Sequence, residues 1–188
     1  MNALQVISLA LLSVMAAQAQ VIMPGRCPQP AVQKDFDAAR YLGTWFDITK
    51  LPMSFQKGQC STATYTLQSP GVVGVFNREL LADGTINTIT GTATAEDPSE
   101  PAKLSVSFFE NSPPAPYWVL DTDYESYTLV YSCTDLGILH ADFAWIMSRE
   151  PTMSPYTLAR LVAKLTAIGV RVDKLVPTVQ DEEYCGAM

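Results

Sequence analysis

Few side chains here are suited to covalent or metal chemistry, and their pattern points away from it. Cys27, Cys60, Cys133 and Cys185 are the only thiols. An even number in an exported chain forms two disulfides by default, with three pairings open on spacing alone. Paired sulfurs leave no thiolate nucleophile. No two of these cysteines are close in sequence and His140 is the single histidine, a poor basis for a zinc site. A serine triad would need the same histidine, with no acid evident at the right place. Arg149 has no phosphate or carboxylate motif beside it. Met53 and Met153 are the remaining redox candidates, since a surface thioether can reduce a lipid hydroperoxide and end as the sulfoxide. These residues lead us to expect no enzyme, no cofactor and no metal.

The more telling residues are aromatic. In Asp35 to Phe46 a polar lead-in runs into Gly43, and Trp45 then opens an apolar run to Leu51. Glycine at 43 tolerates backbone angles and close approaches that a side chain would block. Arg149 follows Trp145 by four residues on a strand, so the two share a face with Met147. An arginine laid over the Trp45 indole contributes roughly 0.5–2 kcal/mol. Its other donors suit the carbonyls of the turn Thr122-Asp123-Tyr124. Gly43, Trp45, Thr122, Asp123, Tyr124 and Arg149 are therefore read as a structural floor.

A floor needs walls. Short segments rich in Val, Ile, Thr, Tyr and Phe, each bounded by Gly, Pro, Asp or Asn, read as strands. They fall at about 44–51, 60–68, 72–81, 86–95, 102–110, 117–121, 126–133 and 141–148. Turns such as Ser69-Pro70-Gly71 and Asp83-Gly84 join them as hairpins. Eight such strands are the number that closes into an up-and-down barrel holding one small ligand. Closure places Trp45, Thr122-Asp123-Tyr124 and Arg149 at one rim. Pro52-Met53-Ser54-Phe55 and Leu136-Gly137-Ile138-Leu139 fall at the opposite, open rim. Ser154-Pro155 reads as a helix cap followed by proline at the first helical position. Leu158, Leu161, Val162, Leu165 and Ile168 follow helical spacing to Gly169, giving an amphipathic helix outside the barrel. Residues 170–176 read as a short added strand, and the proline-rich arm at 24–30 as irregular.

Of the 188 residues, the first nineteen read as a secretory signal peptide with an uncharged apolar run and the cleavage pattern Ala17-Gln18-Ala19. Residues 20–188 then form one domain. The net charge of −7 with no basic cluster argues against nucleic acid as a partner. The chain has no Asn-x-Ser/Thr sequon.

Gly43-Thr44-Trp45, Thr122-Asp123-Tyr124 and Arg149 stand in the order and spacing of the three signatures of the kernel lipocalins. The chain resembles that family over its whole mature length, through segments such as Arg26-Cys27-Pro28, Leu81-Ala82-Asp83-Gly84-Thr85, Ala115-Pro116-Tyr117-Trp118 and Asp142-Phe143-Ala144-Trp145-Ile146. The resemblance implies disulfides Cys27–Cys133 and Cys60–Cys185. It implies a secreted monomeric carrier of a small hydrophobic ligand, a fatty acid such as arachidonate or a steroid. It also implies association with lipoprotein particles or a membrane surface through the open-rim loops. Tyr41, Tyr65, Asn77, Phe108 and Trp145 become pocket candidates. Phe143, Met147 and Tyr117 join them as aromatic or apolar residues expected to face inward. Asn77 is the polar one, and a single amide in an apolar pocket can orient a ligand oxygen.

Overall fold

The fold is described by a computed structural model covering residues 20–110 and 112–186. The expected signal peptide lies outside the described residues. Ten strands, β1 (Val21–Pro24), β2 (Gly43–Lys50), β3 (Gln59–Ser69), β4 (Val72–Leu80), β5 (Ile86–Ala95), β6 (Lys103–Ser107), β7 (Ala115–Thr122), β8 (Tyr127–Asp135), β9 (Leu139–Ser148) and β10 (Val176–Pro177), form one antiparallel sheet. Strands β2 to β9 run as a meander, and β9 pairs back onto β2 to close an eight-stranded barrel. Closure leaves no free edge between these strands.

Alternation along each strand divides the apolar residues into two cores. Trp45, Tyr65, Val75, Ala93, Leu104, Val106, Val119, Val130 and Met147 point into the barrel. Leu129, Tyr131, Ala144 and Ile146 point outward, against Leu161 and Leu165 of helix α2 (Pro155–Ala167). The helix starts where Ser154 Oγ accepts from Thr157 N at 3.1 Å. It ends as Gly169 adopts φ +87° and Val170 N returns to Leu165 O at 3.1 Å, the glycine-terminated stop. Leu161 and Leu165 are fully buried, and each such burial contributes roughly 1.5–3 kcal/mol. Asp121 clamps the same helix, accepting from Arg160 at 3.0 Å and Lys164 at 2.6 Å.

Several boundaries differ from the sequence reading. The fifth barrel strand ends at Ser107 rather than 110, because Ser112 N turns back to Phe109 O at 3.2 Å and takes the chain out of the ladder. The eighth begins at Leu139, since Gly137 (φ +90°) allows a tight hairpin from Asp135. Of the expected 170–176 strand only Val176 pairs, in a two-residue strand with Pro177 against Lys50 and Thr49. A 3-10 turn at Val172–Lys174 occupies the rest. Strand β1 had no sequence signal: it is four residues long, ends in proline, and pairs with the upper half of β9 over a hundred residues away. A one-turn helix, α1 (Ala38–Tyr41), is capped by Asp37, whose Oδ1 accepts from Ala39 N at 2.9 Å.

Candidate functional site: the barrel interior

The floor is built from three distant segments. The Arg149 guanidinium carbon lies 3.7 Å from the centroid of the Trp45 ring. Its Nε donates to Tyr124 O at 3.0 Å and its terminal nitrogens donate to Thr44 O and Arg40 O, both at 3.1 Å. Gly43, at φ +98°, makes room: a Cβ there would sit 3.1 Å from an arginine nitrogen. Asp123 braces the turn by accepting from the backbone of Glu125, Ser126 and Tyr127. Thr122 Oγ1 donates to Tyr127 O and accepts from Tyr124 N. Trp45 is completely buried and its Nε1 donates to Tyr41 O at 3.0 Å. Loss of water around Arg149 pulls its pKa below the usual guanidinium value without removing its charge.

Above the floor lies a chain of hydroxyls. Thr128 Oγ1, Tyr41 Oη, Tyr117 Oη and Tyr65 Oη follow one another at 3.2, 3.0 and 2.6 Å. Burial pushes Tyr41 up to about 12, and Tyr65 and Tyr117 well above the normal phenol value. These phenols stay neutral and act as hydrogen-bonding groups. Tyr41 comes from α1 rather than from a strand, and its ring packs edge-on to Phe36 and tilted against Trp45, with centroids 5.2 Å from each.

The walls gather the remaining predicted residues unevenly. Met147 packs into the floor cluster, nearly without exposure. Phe143 and Trp145 stack with centroids 6.5 Å apart, and Phe55 of the β2–β3 loop covers Phe143 at 5.6 Å. Phe108 lies over Gly91 so closely that a Cβ there would meet its ring at 2.6 Å. Asn77, opposite Ala63 and Ile89 in its neighbouring strands, has a buried Oδ1 with no hydrogen-bond partner.

A polar network on the same interior face was absent from the sequence reading. Asp47 and Lys50 oppose Met147 and Trp145 across β9. A one-residue register shift between Asp47 and Thr49 brings Lys50 onto the interior face that Asp47 already shares with Trp45. Lys50 Nζ donates to Asp47 Oδ2 at 3.1 Å and to Ser61 Oγ at 2.8 Å. Gln56 bridges onward, donating to Asp47 Oδ2 at 2.7 Å and accepting from Trp145 Nε1 at 2.9 Å. Burial raises the Asp47 pKa, opposed by Lys50. Glu79, also buried, accepts from Gly58 N and Asn87 Nδ2. Asp47 shares the two-residue period of Trp45 and was legible, whereas Lys50 needed the bulge.

At the open rim, Phe55, Phe109 and Ile138 are 61%, 62% and 85% exposed. Met53 is not a surface residue: it is buried with Ala141 and Phe143, and Met153 is partly buried against the helix core. A separate cleft of about 490 Å3 lies outside the barrel, lined by Phe46, Thr62, Arg78 and Gln180 beside the Cys60–Cys185 disulfide. Cys27 pairs with Cys133.

A lipocalin-like domain model matches residues 36–180. The chain belongs to the lipocalin family. Apolipoprotein D of Bos taurus is 49% identical over 171 residues, covering 90% of this chain and 89% of that protein. Apolipoprotein D of Mus musculus is 48% identical, with 87% of each chain covered. The Lazarillo protein of Schistocerca americana is 32% identical, covering 95% of this chain and 84% of that one. Among solved structures, lobster apocrustacyanin A1 superposes with TM-score 0.75 at 26% identity over 86% of this chain and 92% of its own. Insecticyanin of the tobacco hornworm superposes with TM-score 0.77 at 23% identity over 88% and 92%, a likeness of fold. Membership in this family supports binding and transport of a small hydrophobic ligand. The two disulfides suit an oxidising extracellular setting.

Proposed function

We propose that this lipocalin is a secreted carrier that holds an oxygen-bearing lipid, a fatty acid or steroid, inside the barrel. The observation that carries the reading is the unpartnered Asn77 Oδ1, set between the apolar cross-strand partners Ala63 and Ile89. A buried polar atom without a partner costs roughly 1–3 kcal/mol, a cost removed when a ligand hydroxyl donates to it. Trp145, Phe143 and Phe108 supply apolar contact, and the hydroxyl chain of Tyr41, Tyr117 and Tyr65 offers a second polar anchor. Burying about ten methylenes contributes roughly 8 kcal/mol gross. Association costs remove several of these, leaving reversible affinity near micromolar.

Tryptophan fluorescence titrated with arachidonate, palmitate, progesterone and retinol tests this. Saturable quenching at one ligand per chain, lost in Trp145→Ala and weakened about tenfold in Asn77→Leu, is the expected result. Ligands that bind both variants as they bind the parent would remove these residues from the site. A parent that responds to none of them would sink the carrier reading.

The exposed Phe55, Phe109 and Ile138 support docking of the open rim on a lipid surface. The relatives named apolipoprotein D make a lipoprotein particle the first surface to try. Flotation with phosphatidylcholine vesicles decides it: the parent should float and a Phe55→Ser/Phe109→Ser/Ile138→Ser variant should not.

A further inference from the structure

We propose that the root of the N-terminal arm is a thiol-gated metal site. Once Cys27–Cys133 is reduced, its two sulfurs join His140 and Asp142 as a four-donor set for a divalent cation of the zinc class. Cys133, His140 and Asp142 lie on one hairpin, and the disulfide brings the distant Cys27 to them. Cys133 and Asp142 are direct partners across β8 and β9, and His140 lies two residues before Asp142 on the same outward face. A sulfur of Cys133, a ring nitrogen of His140 and a carboxylate oxygen of Asp142 lie within 4.8 Å of one another. Cys27 is bonded to Cys133 and arrives on a short irregular arm. A tetrahedral zinc ion with bonds of about 2.0–2.3 Å spaces its donors about 3.3–3.8 Å apart, so the set closes with shifts of about an ångström.

The surroundings are already arranged for ligation. His140 Nδ1 lies 3.0 Å from Gly25 O. Donating to that carbonyl puts the proton on Nδ1 and leaves the Nε2 lone pair facing Asp142, whose Oδ1 is 3.5 Å away. A ring N–H held by a backbone carbonyl is how metal-bound histidines are oriented. Tyr131 Oη donates to Asp142 Oδ1 at 2.6 Å and holds the carboxylate in place. Asp142 and Tyr131 are essentially unexposed and His140 nearly so.

The disulfide is the gate. Its sulfurs carry no charge and make poor ligands. A low-molecular-weight dithiol supplies two electrons and two protons to Cys27–Cys133 and is itself oxidised to a disulfide. The cation then displaces the two thiol protons to solvent and replaces the covalent link between arm and barrel. The other disulfide, Cys60–Cys185, has acidic neighbours in Asp181 and Glu182 but no histidine, and serves as an internal control.

The test is a cobalt(II) titration of the full mature protein, reduced with a phosphine and freed of reductant under anaerobic conditions. Thiolate-to-cobalt charge transfer should saturate at one ion per chain and be absent from the oxidised protein. The band should persist in Cys60→Ser/Cys185→Ser and vanish in Cys27→Ser/Cys133→Ser. His140→Gln, which retains a donor for Gly25 O, should bind at least tenfold more weakly. The proposal is overturned by a reduced protein with no such band, by a band that follows Cys60 and Cys185, or by unchanged affinity in His140→Gln. Circular dichroism of the reduced parent is read alongside, and a lost fold there also overturns it, since the donors would no longer be held together.

Discussion

Replacing Arg149 by alanine should destabilise the barrel by about 3 kcal/mol. The guanidinium sits 3.7 Å from the Trp45 centroid, an interaction worth about 1 kcal/mol for a partly exposed cation. It also donates to Tyr124 O, Thr44 O and Arg40 O. Charged donors give roughly 1.5–3 kcal/mol per bond when buried. Partial exposure lowers this, and about 2 kcal/mol for the three together is a discounted sum. The assay is urea unfolding with both disulfides intact, supported by calorimetry. For a domain of this size each kcal/mol moves Tm by about 2–4 °C, so a drop of about 6–12 °C is expected. Arg149→Lys keeps a cation near the ring and loses the planar fork, and should fall about midway. An alanine variant within about 1 kcal/mol of the parent would refute the floor as a stabilising element. A lysine variant no better than alanine would refute the cation–ring part.

Three further outcomes follow from the same geometry. Tyr41 has a folded pKa near 12 against 10.0 unfolded, so the native state holds its proton more tightly. That contribution, roughly 2–3 kcal/mol, is fully present below pH 10 and is lost as pH rises from 10 to 12. Tyr65 and Tyr117 add the same sign. Urea midpoints should therefore fall steeply across this range, and a midpoint flat through pH 11 would contradict the buried hydroxyl chain. A Cβ at Gly91 collides with the Ser107 carbonyl oxygen and with the Phe108 ring, so Gly91→Ala displaces the end of β6 together with Phe108 and should weaken binding of a fluorescent fatty acid severalfold while lowering stability by about 1–3 kcal/mol; unchanged binding would place this stretch of wall outside the site. Removing Cys60–Cys185 as a Ser/Ser pair opens a link spanning 125 residues. It should destabilise by up to about 5 kcal/mol, seen as a lower denaturant midpoint.

The barrel was legible because its evidence is local and repeated. Period-two alternation, Asp-Gly and Pro-Gly turns and the Ser154-Pro155 cap each act over a few residues, and their number sets the topology. The convergence of Trp45, Tyr124 and Arg149 followed from counting hairpins, since odd and even connections of a meander lie at opposite ends. The side-chain direction that defines the interior was less legible. A bulge after Asp47 shifts register by one residue and brings Lys50 inside, and nothing in the sequence around it marks that slip. Tyr41 and Asn77 entered as candidates through likeness to a family. Only the packed structure showed that one joins the floor and the other has a bare oxygen.

By itself, then, the sequence determined the class of fold, the eight barrel strands and the external helix, because these depend on residue types at short spacing. The tertiary structure decided what depends on long-range register. It turned a lysine–aspartate pair into an apolar barrel, buried Met53, paired β1 with β9, and set His140 and Asp142 beside a disulfide whose halves are 106 residues apart. Cross-strand neighbours are chosen by barrel closure, and closure is a property of the whole chain that no window of sequence contains.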